Sequence, residues 1–216
     1  MTRTALLLVD LQNDFLPGGA LAVPDGDAIL PVAARWMAQL PLVFATQDHH
    51  PSGHASFASS HPGRAPGESI LLDGLPQVLW PDHCVQGTRG ADLAAGLPLG
   101  RIRQVVPKGE DPRVDSYSGF WDNGRRRETT LRQSLAGAGV SRIVVMGLAT
   151  DYCVRATVLD ARELGLEVDV LVAGVRAVGL QPGDGARDLA EMAAAGARLW
   201  EDDAALRASL PAAVSP

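Results

Sequence analysis

The stretch SRIVVMGLATDYCVRATVLDAREL, residues 141–164, decides the reading of the fold. It opens on an apolar run without polar alternation, which suits a strand covered on both faces by helices. It continues, after a short turn, into a helical pattern. One of only two cysteines in the chain, Cys153, stands in that turn.

Similar runs recur outward from this unit. TALLLV (4–9), PLVFAT (41–46), IRQVVP (102–107) and VDVLVA (168–173) read as buried strands, with ARLW (197–200) a candidate sixth. Helical patterns lie between them at 27–40, 90–97, 127–139, 150–164 and 183–196. Alternation of this kind predicts an α/β, doubly wound, three-layer (α/β/α) domain with a six-stranded, mainly parallel sheet. No internal repeat or linker divides residues 1–216, so a single domain is expected.

Residues 48–88 break the pattern. The segment is rich in His, Pro, Gly and Ser, and holds all five histidines (His49, His50, His54, His61, His83). A connection this long in a compact domain is functional or disordered. Phe57, Leu79 and Trp80 favour an ordered site loop.

Composition excludes several functions. The chain has 216 residues, 46% of them hydrophobic and 20% charged, as in ordinary soluble proteins. A net charge of −6 leaves no basic excess for nucleic acid. The apolar runs are too short to span a bilayer, and the N-terminus has no signal-peptide pattern. A cytoplasmic location and no membrane partner are expected. Cys84 and Cys153 are too few for a disulfide framework. Trp36, Trp121 and Trp200 suit core or interface equally, so oligomeric state is not legible.

In parallel sheets, ligands bind beyond the carboxyl ends of the strands. Those ends carry Asp10, then Asp48 and His50, then Lys108, then the turn with Cys153. Asp48 and His50, two apart in an extended segment, share one side and could bind a divalent metal, with His83 a candidate third ligand. Histidines in a polar loop are otherwise simply solvated, the reading preferred for His49 and His61. His54 stands as a supporting group, a fourth ligand or a surface residue. Asp10 is a helix cap or a general base, and its pairing with Lys108 would satisfy both without proving catalysis. Thr150 or Asp151 is expected to cap the helix, so that its N-terminus favours a Cys153 thiolate. Cys84 reads as an inert core cysteine. No phosphate-binding loop follows any strand.

Five pieces together carry a resemblance: VDLQNDFLPGGALAV (9–23), TQDHHPSGHASFAS (46–59), WPDHCVQGTRGADL (80–93), the PKG and DSYSGF pair (107–120), and MGLATDYCVRATVLDA (146–161). In this order the chain resembles the nicotinamidase/pyrazinamidase group of the isochorismatase-like cysteine hydrolases. The resemblance implies a catalytic triad of Asp10, Lys108 and Cys153. It implies an oxyanion hole from the Ala149 and Cys153 amides, and a cis peptide at Leu148–Ala149. It implies a pyridine pocket from Phe15, Leu21, Trp80, Tyr117 and Leu148, with Asp115 where relatives also place an acid. Asp48, His50 and His83 match the ligands of one divalent metal, Zn2+ foremost, with Fe2+ or Mn2+ as alternatives, and Ser56 and His54 are candidates to complete its coordination. The activity implied is hydrolysis of nicotinamide to nicotinate and ammonia in NAD salvage, with pyrazinamide a second substrate. Rival readings are another small-amide or isochorismate-type hydrolase on the same fold, and a non-catalytic binding protein. The intact triad disfavours the last of these.

Overall fold

A computed structural model describes residues 3–210. The elements in chain order are β1 (Arg3–Val9), α1 (Leu30–Gln39), β2 (Val43–Asp48), β3 (Ser69–Leu72), β4 (Leu75–Val78), β5 (Gln104–Lys108), α2 (Leu131–Gly137), β6 (Val140–Leu148), α3 (Arg155–Glu163), β7 (Glu167–Arg176), α4 (Asp184–Ala194), β8 (Arg198–Trp200) and α5 (Asp203–Ala208).

Six strands form one parallel sheet in the order β5-β2-β1-β6-β7-β8. The chain first winds outward from β1 through β2 to β5. It then returns to the other side of β1 and winds through β6, β7 and β8. The reversal leaves a crevice between the carboxyl ends of β1 and β6, the place where such sheets bind ligands.

The lack of polar alternation in the strands now has a physical cause. Leu6, Leu8, Val144, Met146 and Leu148 face a core shared with Ala33, Trp36 and Met37 of α1. Ala5, Leu7, Val9, Ile143 and Val145 face the opposite core, shared with Leu131 and Leu135 of α2, Val158 and Ala161 of α3, and Met192 of α4. Both faces are covered, so both parities of each strand must be apolar.

Three expectations from sequence need correction, and one helix went unread. Residues 90–97 form no helix beyond a short turn at Arg89–Ala91. Their backbone pairs instead with the loop after β1: Ala94 N–H donates to Leu11 O, and Asn13 N–H donates to Asp92 O. The helix expected over 127–139 is α2 alone, because Thr129 N–H is drawn to Phe120 O. The expected cap at Thr150 or Asp151 is replaced by Ala149, whose carbonyl accepts the N–H groups of Tyr152 and Val154 in a widened π-helical turn, Thr150–Val154. The short α5, capped by Asp202, escaped the periodicity reading.

The segment 48–88 is ordered and carries the antiparallel hairpin of β3 and β4. Its turn residues Asp73 and Gly74 both have positive φ (49° and 83°), as a two-residue Asp-Gly hairpin turn requires. That dipeptide was a usable signal. Among the described residues, no helix is long and apolar enough to cross a membrane.

Candidate active site

Parallel pairing brings the strand ends together. β1 delivers Asp10, which leaves the strand with φ of 50°. β2 and β5 are in register at Asp48 and Lys108. β6 delivers Leu148, Ala149 and the turn bearing Cys153. Gly147 is obligatory at the end of β6: its φ is 140°, and a Cβ there would meet the Val9 carbonyl oxygen at 2.0 Å.

Lys108 is the centre of the site, with a fully buried side chain. Its Nζ lies 2.9 Å from Asp10 Oδ2 and 2.5 Å from Asp48 Oδ1. It also donates to Ser116 O at 2.7 Å and lies 3.3 Å from Cys153 Sγ. Burial opposes its charge, but Asp10 and Asp48 outweigh burial and raise its pKa well above the ordinary lysine value. Lys108 is therefore a fixed cation that serves two acids and a thiol.

Asp10 is fully buried. Its Oδ1 accepts from Thr46 Oγ1 at 2.6 Å. Its Oδ2 is ion-paired with the Lys108 ammonium. Carboxylate oxygens of Asp10 and Asp48 and the sulfur of Cys153 all lie within 4.8 Å of one another. Burial raises the Asp10 pKa against the pull of Lys108. Burial also pushes the Cys153 thiol well above its ordinary value, and Asp10 and Asp48 offset the attraction of Lys108. The helix start does not overcome burial beside two carboxylates, so the thiol must lose its proton during attack.

Asp48, His50 and His83 converge next to this triad, each with an atom within 4.8 Å of the others. His50 Nδ1 bonds to Gly109 O at 2.9 Å, and His83 Nδ1 bonds to Pro81 O at 2.8 Å. Donation by Nδ1–H to a carbonyl leaves the Nε2 lone pair free on both rings. Both Nε2 atoms face Asp48 Oδ2, at 3.7 and 3.9 Å. His50 Nε2 is buried with no partner. Burial alone would lower the His50 pKa, yet Asp48 and Asp115 push it up to about 8. Burial and then His50 depress His83. Burial likewise works against the Asp48 charge, but Lys108 with His50 and His83 holds that carboxyl well below the usual carboxylate range. Two imidazole lone pairs and a carboxylate aimed at one point fit a divalent cation.

His54 is fully buried and leaves no nitrogen for a metal. Its Nε2 bonds to Asp111 O at 2.7 Å, and Ser56 supplies both its N–H and its hydroxyl to Nδ1. His49 pairs with Glu110 at 3.4 Å in a part-exposed position, as a solvated histidine would. His61 is half-buried rather than free in solvent, with Nε2 bonded to Ala55 O at 2.8 Å. Cys84 is fully buried in the core facing α1, and burial raises its pKa well above the ordinary thiol value.

A pocket opens over Cys153, lined by Phe15, Leu21, Trp80, Tyr117, Ala149 and Tyr152, with Asp48 and His83 on its floor. Leu148 does not line it. Strand alternation turns Leu148 with Val144 and Met146 into the α1-side core, fully buried, and the pocket is reached one residue later at Ala149. The Leu148–Ala149 peptide is cis.

Several supporting residues were not singled out from sequence. Gln12, fully buried, brackets Asp48: its Oε1 accepts from Asp48 N–H and its Nε2 donates to Asp48 O, both at 2.8 Å. Asp14 Oδ2 accepts the N–H of Cys84, next to His83, at 2.7 Å. Gln77 reaches in from β4 to donate to Asp115 Oδ2 and the Tyr117 hydroxyl. Gln12 and Asp14 stand inside VDLQNDF and could have been found there; Gln77 had no signal.

Residues 4–201 match the family model of the isochorismatase domain. The chain is 53% identical over 204 residues to the nicotinamidase of Escherichia coli strain K12, covering 93% of this chain and 95% of that one. It is similar in structure to a nicotinamidase/pyrazinamidase of Acinetobacter baumanii, with a TM-score of 0.88 and 37% identity over 92% of this chain and 96% of that one. A pyrazinamidase of Pyrococcus horikoshii in complex with zinc gives a TM-score of 0.75 at 38% identity, covering 93% of this chain and 99% of that one. On the family match and these identities, the chain belongs to the isochorismatase-domain family.

Proposed function

We propose that this protein is a nicotinamidase, a hydrolase of the linear amide C–N bond that converts nicotinamide to nicotinate and ammonia in NAD salvage and also deamidates pyrazinamide. The single observation that carries the reading is one pocket with two chemistries. A buried Asp10–Lys108–Cys153 set and a convergent Asp48–His50–His83 set open into the same aromatic cavity. The likeness to the E. coli enzyme supports the same activity.

One divalent cation, Zn2+ ahead of Fe2+ or Mn2+, held by Asp48, His50 and His83, supplies a Lewis acid and an anchoring charge beside the nucleophile when bound. The chain's own residues do the rest. Phe15, Leu21, Trp80 and Tyr117 close on the ring and bring its carboxamide over Cys153. Asp10, with a carboxylate oxygen within 4.8 Å of the sulfur, takes the thiol proton as Sγ attacks the amide carbon. Lys108 stays protonated and keeps two carboxylates and a nascent thiolate tolerable in a buried site. The Ala149 and Cys153 amides hold the oxyanion. Asp10 returns its proton to the departing nitrogen, ammonia leaves, and a thioester remains. A water activated by Asp10 then cleaves the thioester and releases nicotinate with free Cys153.

A hydrolase for isochorismate-type vinyl ethers is the second reading, because the fold and triad alone do not choose a substrate. The Asp48–His50–His83 set argues against it, since a convergent metal site suits a ligand with a ring nitrogen. The proposal includes one domain over 1–216 with the metal-site loop at about 48–88. It also includes a cytoplasmic location, which suits two free cysteines. An ammonia-release assay over nicotinamide, pyrazinamide and unrelated small amides, before and after metal stripping, tests it. Release from the two ring amides that metal removal abolishes is expected. Absence of release from nicotinamide by the zinc-loaded protein would refute the reading.

A further inference from the structure

Val178, in the loop between β7 and α4, lines the pocket together with Phe15 and Leu21. That loop is thinly attached. Strand pairing ends at Arg176, and beyond Leu180 the Gln181 N–H donates to Asp184 Oδ2 at 2.8 Å. Leu180 is 42% exposed. From Val178 to Leu180, the backbone makes two hydrogen bonds to the rest of the molecule. Val178 N–H donates to Asp151 Oδ1 at 3.0 Å, and Gly179 N–H donates to Asp151 Oδ2 at 2.8 Å.

Asp151 is buried and lies two residues before the nucleophile, in the turn whose Tyr152 packs edge-on to Trp80 and Tyr117. Its carboxylate spends both oxygens on consecutive amides of one loop, a bidentate grip that only an acid of this length supplies. From this geometry we infer that Asp151 is a positioning residue that sets ring specificity. It clamps the Val178 wall to the nucleophile's turn, so the width of the pocket is fixed by the element that carries out the reaction. The inference rests on the nicotinamidase reading.

With the clamp cut, the ring is held less closely while the triad is untouched. A looser wall should admit larger rings. The test uses the zinc-loaded full chain as wild type, Asp151→Asn, Asp151→Ala and Val178→Ala. Substrates are nicotinamide and its ring-methylated forms. Iodoacetamide labelling of Cys153, located by peptide mass, reports the nucleophile separately. In Asp151→Ala and Val178→Ala the penalty against the most disfavoured methylated ring should shrink by about tenfold, the scale on which an apolar pocket senses a methyl group. KM for nicotinamide should rise more than kcat falls, with Cys153 labelling unchanged. Asp151→Asn keeps one acceptor and should lie between. If Asp151→Ala does not fold, Asp151→Asn and Val178→Ala decide. Equal loss on every ring, or an unchanged ratio in Val178→Ala, overturns the inference. A wild type inactive on nicotinamide refutes the underlying reading instead.

Discussion

The nucleophile's end of the site and the loop that supplies the metal set are built by different means. Asp10, Lys108 and the Cys153 turn ride on the ends of paired parallel strands, so the ladder sets their spacing. His50 and His83 ride on irregular chain and owe their orientation to single bonds with the carbonyls of Gly109 and Pro81. Asp48 joins the two regions, with one carboxylate oxygen on Lys108 and the other toward the imidazoles. A rigid frame therefore holds the bond-making groups, and a hydrogen-bonded loop tunes what is brought to them.

The comparison can be broken most severely at the sulfur. Cys153→Ala should cut ammonia release from nicotinamide by at least about 10⁴-fold, the scale of losing a nucleophile. Cys84→Ala, at the inert cysteine, should cost stability by thermal melt and leave turnover in place. Next comes the cation. Lys108→Met strands two buried carboxylates, and removing one partner of a buried pair costs about 3–5 kcal/mol. A lowered denaturant midpoint with lost turnover is expected.

Metal stripping, or His83→Ala, separates the two regions. Nicotinamide turnover should vanish while iodoacetamide still labels Cys153, because the strand-borne groups do not depend on the loop. The pH profile gives a gentler test. Burial holds the Asp10 pKa above its reference of 3.8. The base works only when deprotonated, so kcat/KM should fall as pH drops through that raised value, with an acid limb above the ordinary carboxylate range. The smallest expected effect is Thr46→Val. It removes the hydroxyl that donates to Asp10 Oδ1 and lowers the Asp10 pKa. The acid limb should move upward, with a loss of about tenfold in kcat/KM, as for a hydrogen bond to a charged group.

The same contrast explains what the sequence made legible. Strand-borne residues could be found by listing the ends of apolar runs, because parallel sheets align those ends. That argument placed Asp10, Lys108 and Cys153 at one site before any resemblance entered. Loop-borne residues lack such a rule. His50 was paired with Asp48 by spacing and His83 stood as a candidate third ligand, while the role of His54 stayed open, and the structure places His83 and His54 quite differently. Leu148 went astray because motif position was taken for pocket position, and strand parity turns its side chain away. The charges around the buried Cys153 sulfur come from Asp10, Asp48 and Lys108 at the ends of three other strands, which no local turn reveals. Gln77 and the Asp151 clamp reach across the fold to partners on other segments, and such pairings have no sequence spacing.

The most direct test of the account is to trap the acyl-enzyme. The zinc-loaded protein is mixed with nicotinamide, quenched in acid within a turnover, and mapped by peptide mass spectrometry. A nicotinoyl thioester on Cys153, with none on Cys84, is the predicted result. Steady ammonia release with no acyl group on Cys153 at any quench time, together with turnover retained by Cys153→Ala, would contradict it.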